Sequence, residues 1–438
     1  MPMRLLWILA GLCLLAFPLA PRAQGLEISI IDGNPSALPI TVVPMDYSGV
    51  GGLPETDIAA VIRADLNRSG SFRALPEGDI IERPQRMADV NFATWRLLRQ
   101  DFLVVGRVLD ATEGGYRVEF ELLDVAKQEP RLRLALSGRS GNLRDVAHQI
   151  ADHIYENILG VRGAFWTRIA YVTAAGSGQN IQYALMVADS DGHNPQPVVR
   201  SREPLLSPSW SPDGRRLAYV SFERGNSSIY IQEIASGARE AVASFRGING
   251  APAFSPDGNR LALTLSRSGN PEIYVMDLAS RELTQLTRHW GIDTEPVWSP
   301  DGREILFTSD RSGKPQIYRV AAAGGEAQRV TFQGDYNARA SLCCDGKKIA
   351  VAQGSGNVYR IALFDRTYGD SGRVSVLSPG NLDESPSFAP NGSMVLYASR
   401  EGTRGVLYAV SADGNARQRV VFADGDVREP AWSPFRQR

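Results

Sequence analysis

The chain has 438 residues, 43% of them hydrophobic and 22% charged, with a formal net charge of −1. That length accommodates two domains and a large core, and the composition is that of an ordinary globular protein. The near-zero charge gives no sign of a polybasic membrane patch or of a nucleic-acid partner.

The first predicted element is a leader. Met1–Arg4 carries one positive charge, Leu5–Ala20 is almost wholly apolar, and Ala20 and Ala23 supply small residues. This pattern predicts a secretory signal peptide over residues 1–23, cut after Ala23, with an apolar run too short for a spanning helix. Cys13 lies inside that run behind Leu12, so no lipid anchor is expected there. The mature chain is expected in an exported compartment.

Residues 24–162 read as a small mixed α/β domain. Leu26, Ile28 and Ile30 alternate with Glu27 and Ser29, a short edge strand that ends in the turn cluster Asp32-Gly33-Asn34-Pro35. A buried strand over Pro39–Pro44 follows. Pro54-Glu55-Thr56-Asp57 then opens a helix to about Arg68, with acidic residues in its first turn. Strands are predicted over 102–108, 116–125 and 131–136, and a last helix over 143–159.

Some chemistry is tempting in this half. Gly49-Val50-Gly51-Gly52-Leu53-Pro54 sits where a dinucleotide fingerprint would, but Pro54 replaces its last small residue, so it reads as a turn. His148 and His153 are five apart on one helix and do not share a face; with His193 and His289 in loops, no metal set emerges. Asp189-Ser190-Asp191-Gly192-His193-Asn194 resembles half a calcium loop, yet its twelfth position is Arg200 where a glutamate is needed, so a hairpin turn is expected.

From residue 163 to 438 the chain repeats. Pro208-Ser209-Trp210-Ser211-Pro212-Asp213-Gly214 recurs at Pro252–Gly258 and Pro296–Gly302, in degraded form at Ala340–Gly346, and again at Pro386–Gly392. The turn residue steps by 44 from Asp213 to Asp257, Asp301 and Asp345, then by 46 to Asn391. Ser-Pro-Asp-Gly suits a tight turn, because Pro presets φ, Asp bonds nearby backbone and Gly accepts positive φ. An alternating apolar run follows each phrase, then a run ending in Tyr230, Tyr274, Tyr318, Tyr359 or Tyr408, then a fourth run. Four short strands per repeat is the arithmetic of a propeller blade. Trp166–Thr173 looks like a second strand without a first, and Pro430–Pro434 like a first strand without a second. Together they make a sixth blade. The expected fold is an α/β N-terminal domain followed by an all-β six-bladed propeller closed by the C-terminal strand.

In a propeller the loops entering the first strands ring one mouth. Here they carry Leu206, Asn249, Gly250, Ala251, Thr294 and Glu295, then Asn337, Arg339, Asp383, Glu384, Arg428 and Glu429. These polar residues are expected to face the channel entrance, and such a ring makes a protein or peptide dock. Gly369-Asp370-Ser371-Gly372 lies inside a blade without a histidine partner, and no G-x-S-x-G occurs, so no catalytic set is found. Cys343 and Cys344 occupy the Ser-Pro slots of the degraded repeat, where a bond between neighbours would be strained.

The chain resembles the TolB family, the exported propeller component of the Tol–Pal system of Gram-negative bacteria. The resemblance rests on Asp57-Ile58-Ala59, Ala64–Gly70, Val104-Val105-Gly106-Arg107-Val108 and Arg162–Val172, and in the propeller on Asn249–Gly258, Tyr274–Leu278 and Thr294-Glu295-Pro296. It implies a periplasmic, non-enzymatic, monomeric protein without cofactor or metal, supporting outer-membrane integrity and constriction at division. It further implies that the mouth binds Pal, the peptidoglycan-associated lipoprotein, with the positions matching Ala251 and Thr294 among the binding ones. A histidine common in the family is Ile248 here. TolA is implied as the partner of the mature N-terminal segment, through Gln24, Leu26, Glu27, Ile28 and Ile30. The alternative is a propeller that binds a cell-wall sugar or peptide, or a hydrolase, using the same mouth.

Overall fold

The computed structural model describes residues 28–29, 34, 36–111, 115–369, 372–420 and 425–437. The leader, and with it Gln24, Leu26, Glu27 and Ile30, lies outside the described residues, as do Asp370 and Ser371.

The N-terminal half is a mixed sheet with helices. After a two-residue strand β1 (Ile28–Ser29), treated below, come β2 (Leu38–Val42), β3 (Asp46–Tyr47), α1 (Ile58–Arg68), β4 (Phe72–Ala74), α2 (Phe92–Leu97), β5 (Phe102–Asp110), β6 (Tyr116–Asp124), β7 (Glu129–Gly138) and α3 (Leu143–Leu159). The sheet order is β4-β2-β5-β6-β7, with β3 also beside β5. The strands β2, β3 and β4 run parallel to their neighbours, whereas β5, β6 and β7 form an antiparallel meander. On one face Ile58, Ile62 and Leu66 of α1 and Ile150 and Ile154 of α3 pack on Ile40, Val104 and Phe120. On the other, Trp95 of α2 packs on Val43, Leu103 and Val105. β5 is therefore covered on both sides, which is why it reads as an unbroken apolar run.

The first helix begins later than its sequence suggests. Asp57 stays extended, and its side chain accepts a hydrogen bond from the Ala60 N–H at 2.9 Å, so Asp57 caps the helix instead of joining it. No acidic residue lies in its first turn. The last helix ends at Gly160, whose φ of 74° suits a left-handed stop.

The C-terminal half is arranged as six antiparallel blades, five of four strands and a sixth whose own four are joined by β1. Blade 1 is composite: Arg168–Ala175, Gln182–Asp189 and Gln196–Ser201 take their inner strand from Asp426–Trp432. Blades 2 to 6 begin with Leu205–Trp210, Asn249–Phe254, Asp293–Trp298, Tyr336–Leu342 and Glu384–Phe388. Each inner strand packs against the next around the ring, and that of blade 1 closes on blade 2.

The repeated phrase explains how neighbours fit. In blade 2 Ser211 Oγ donates to Asp213 at 2.5 Å and accepts from the Arg216 N–H at 2.9 Å, while Gly214 takes a φ of 67°. In blades 1 to 4 the proline of the turn then lies against the glycine of the next blade's turn, and in blade 5 Cys343 takes that place. A Cβ on Gly258 would sit 3.6 Å from Pro212, one on Gly302 3.7 Å from Pro256, and one on Gly214 3.6 Å from Pro434. This last contact closes the circle. The aromatic position bridges blades too: the Trp210 indole donates to the Ala431 carbonyl and the Trp298 indole to Ala253, both at 3.0 Å. Cys343 and Cys344 keep the turn of blade 5, with the Gly346 N–H on the Cys343 carbonyl at 2.9 Å, and both are free thiols.

The N-terminal domain sits against blades 6 and 1. Gly70, just past α1, approaches Ala416 so closely that a Cβ would lie at 2.7 Å. Arg436 makes a bidentate pair with Asp145 of α3 at 2.7 and 3.1 Å. Strand β1 leaves its own domain and pairs antiparallel with the outer strand of blade 6, Ile28 opposite Gln418 and Ser29 opposite Arg417. Among the described residues no helix is long and apolar enough to cross a membrane.

Candidate functional site

The mouth is built from a bulge repeated in all six inner strands. The register slips around Ser207, Ala251, Glu295, Arg339, Ser385 and Glu429, one per blade. Each of these residues has a positive φ, between 45° and 56°, an uncommon state for residues other than glycine. Together with the Pro or Ala that follows each, they line one cavity of about 150 Å³ at the centre of the mouth.

That centre is held by charge. The Arg339 guanidinium meets Glu295 at 2.9 Å and Glu429 at 3.0 Å, and donates to the Ser385 hydroxyl. The second oxygen of Glu295 accepts from the Thr308 hydroxyl at 2.8 Å and from the Arg339 N–H at 3.1 Å. That of Glu429 accepts from the Ser207 N–H at 3.1 Å. One arginine thus ties blades 4, 5, 6, 1 and 2 together. Burial pushes its pKa down, but Glu429 and Glu295 outweigh it and raise it further above the ordinary range.

The expected ring of channel-facing polar residues divides in the structure. Leu206, Gly250, Ala251, Thr294, Glu295, Arg339 and Arg428 are half-buried and Glu384 is exposed, while Glu429 is nearly covered. Asn249, Asn337 and Asp383 are fully buried and do not face the entrance. They are loop anchors. Asn249 donates to the carbonyls of Phe245 at 2.7 Å and Ser227 at 3.0 Å; Asn337 donates to Gln316 and to the Gln333 carbonyl, both at 2.9 Å; Asp383 accepts from the Gly380 N–H at 2.9 Å. Asp293 fills the same slot and binds Arg311 at 2.7 Å. A buried amide or carboxylate folds each loop back on itself because an unpaired polar group there would be costly.

What these anchors push outward is apolar. Ile248, Trp290, Ile292, Phe332 and Leu382 are all exposed, Trp290 to 75%, on four consecutive loops joining one blade to the next. A row of large apolar side chains in water marks a contact surface. The sequence signal was present, an apolar residue directly before Asn249, Asp293 and Asp383, but pattern alone does not say which of two neighbours points out. Beside this row a cavity of about 260 Å³ opens between blades 5 and 6, walled by Tyr336, Tyr359, Leu382 and Arg400.

The other tempting segments resolve simply. The amides of Val50 and Gly51 donate to the Asp110 carboxylate at 2.8 and 3.3 Å, so a side chain fills the place a phosphate would take. Asp189–Asn194 is a hairpin turn, with the Asp189 N–H on the His193 carbonyl at 2.9 Å. Asp65, His148 and Asp191 converge within 4.8 Å, which sequence spacing did not reveal because they come from three distant segments. Arg68 lies 3.0 Å from Asp65, and Arg144 pairs with Asp191, so guanidinium groups already balance both carboxylates.

Comparison with known proteins matches both halves. Residues 26–131 fit the model of the TolB amino-terminal domain, and residues 155–436 that of the TolB β-propeller domain. The chain belongs to the TolB family. It is 71% identical to the Tol-Pal system protein TolB of Xanthomonas campestris pv. campestris (strain B100) over 430 residues, 98% of each chain. The same identity and coverage hold for the TolB of Xanthomonas oryzae pv. oryzae (strain KACC10331 / KXO85). The crystal structure of TolB from Acinetobacter baumannii superposes with a TM-score of 0.84 at 41% identity, covering 94% of this chain and all of that one. As a TolB-family member the chain is a propeller component of the Tol–Pal type.

Proposed function

We propose that this chain is a non-enzymatic periplasmic scaffold of the Tol–Pal system. Its mouth binds the lipoprotein Pal, and its N-terminal segment binds TolA, in support of outer-membrane integrity and constriction at division. The observation that carries the reading is the exposed apolar row from Ile248 to Leu382 beside the charged ring, a surface of the kind that docks protein. Family membership supplies the partner. Strand β1 supports the second half of the reading, since a segment that pairs edge-on with blade 6 has the form a partner's sheet edge accepts.

Calorimetric titration of the mature protein with the soluble domain of Pal tests this, beside a Trp290→Ala, Thr294→Arg variant. Both residues lie outside the Arg339 network, so the ring keeps its support. Binding that disappears in the folded variant supports the mouth as the dock. No binding by the unmutated protein would end the reading, and would turn attention to cell-wall fragments, for which the cavity at Tyr336 and Tyr359 is the natural site. In the same format, TolA binding should vanish when residues 24–35 are removed.

A further inference from the structure

The two domains meet through a buried charge cluster that the function above does not use. His148 of α3 is 1% exposed. Its Nδ1 lies 2.6 Å from Asp65 of α1, and its Nε2 lies 3.9 Å from Asp191 on the hairpin of blade 1. Nε2 has no hydrogen-bond partner. Arg68 of α1 bridges Asp65 at 3.0 Å and the Ser190 hydroxyl at 2.8 Å, and Arg144 of α3 pairs with Asp191. Asp65, Arg68, Arg144 and His148 belong to the N-terminal domain, Ser190 and Asp191 to the propeller.

We propose that His148 is a proton-operated latch between the domains: as imidazolium it holds the N-terminal domain, and with it strand β1, against the propeller, and loss of its proton loosens that contact. Position between two carboxylates carries the argument. The imidazole faces Asp65 on one side and Asp191 on the other, with Arg68 beside them, while Asp189 lies farther off and is itself faced by Arg144 and Arg168. A protonated His148 presents an N–H to each carboxylate, one from either domain. A neutral one keeps its proton toward Asp65 and leaves Nε2 unable to donate toward Asp191. The remaining neighbours do not fill that gap. Asp145 is engaged by Arg436, Asp152 accepts the Phe165 N–H at 2.8 Å, and the His193 ring is held toward its neutral form by burial and Arg144.

The latch is connected to β1 through short covalent and hydrogen-bonded steps. Arg68 is followed by Ser69 and Gly70. The Gly70 carbonyl accepts from Asn34 at 3.0 Å, in the segment that leads out of β1. Moving the end of α1 away from blade 1 therefore moves the carbonyl that holds Asn34, five residues after β1 in the sequence. A cleft of about 720 Å³ between the domains, lined by Arg144, Asp189 and His193, brings solvent to the margin of the cluster.

Titration runs in the direction the geometry requires. Burial pushes the imidazole toward its neutral form, but Asp65 and Asp191 outweigh burial and the opposing Arg68, so its pKa is raised above the ordinary value. Proton linkage then makes its contribution complete below the ordinary histidine value of about 6.5, and lost as pH climbs through the raised one. Asp152 and Asp189 are each pushed by burial up to about 6, so their titration falls mainly below neutral pH. The comparison with His148→Gln separates the part of the dependence that belongs to His148 from that of any other group titrating in the same range.

The test is amide hydrogen exchange of residues 28–29 and 68–70 between pH 6.5 and 9, corrected for intrinsic rates, on the mature protein without partners. Protection should fall with pH, by up to about tenfold per unit between the ordinary value of about 6.5 and the raised pKa, and level off beyond it. His148→Gln should start low and stay flat. Asp191→Asn, a change on a propeller turn, serves as second variant: imidazole nitrogen shifts should show His148 losing its proton at lower pH than in the unmutated protein. Equal pH profiles in the parent and His148→Gln, or an imidazole that is neutral throughout, would overturn the latch. Neither outcome depends on what the mouth binds.

Discussion

Single side chains hold the centre of this propeller. Arg339 reaches two glutamates from different blades at hydrogen-bond distance, so its removal leaves two carboxylates facing each other across a narrow mouth. Arg339→Met should cost about 2–3 kcal/mol in urea unfolding, less than a fully buried pair because the arginine side chain keeps 32% exposure. An unchanged midpoint would mean that the pairs behave as surface ion pairs do. At this scale the sequence was legible only in part. Arg339, Glu295 and Glu429 were recognisable as mouth residues from their place in the repeat. Asn249, Asn337 and Asp383 were not recognisable as anchors, since a polar residue in a loop entry reads the same whether it meets water or a neighbouring carbonyl.

At the scale of the strand, the bulge is the device that makes the mouth. Its six residues share a left-handed backbone, and in blade 3 the residue is Ala251. A β-branched side chain tolerates that conformation poorly, so Ala251→Val should lower stability by about 1–2 kcal/mol, read as a fall in the thermal midpoint. If the midpoint holds, blade 3 can shed its bulge without cost. The strands themselves were readable, because alternation and the Ser-Pro-Asp-Gly turn are local signals with one local solution. The last helix was readable end to end because its apolar face and Gly160 agree. The start of α1 was not, since Asp57 fits both a first turn and a cap and only the backbone decides. β1 was recognisable as an edge strand, but not its dock on blade 6, because the partner Gln418 lies far along the chain.

At the scale of the molecule, closure depends on one late segment. Asp426–Trp432 forms the inner strand of blade 1, Trp432 donates to Thr167 at 2.8 Å, and Arg436 fastens α3. Removing residues 429–438 strips a buried tryptophan worth about 3–5 kcal/mol, together with the closing contact at Gly214. The thermal midpoint should fall by about 10 °C. A truncated chain that melts where the full one does would show that the ring stands without its clasp. The docked strand has a different kind of consequence. Only eight residues separate β1 from β2 in the sequence, and a covalent link of that length keeps an end at an effective concentration on the order of millimolar beside its dock. Any outside molecule seeking that strand must displace the chain's own blade, and at micromolar abundance it starts about a thousandfold behind. The segment is its own antagonist, and how often the rim lets go governs its capture more than how tightly the newcomer holds.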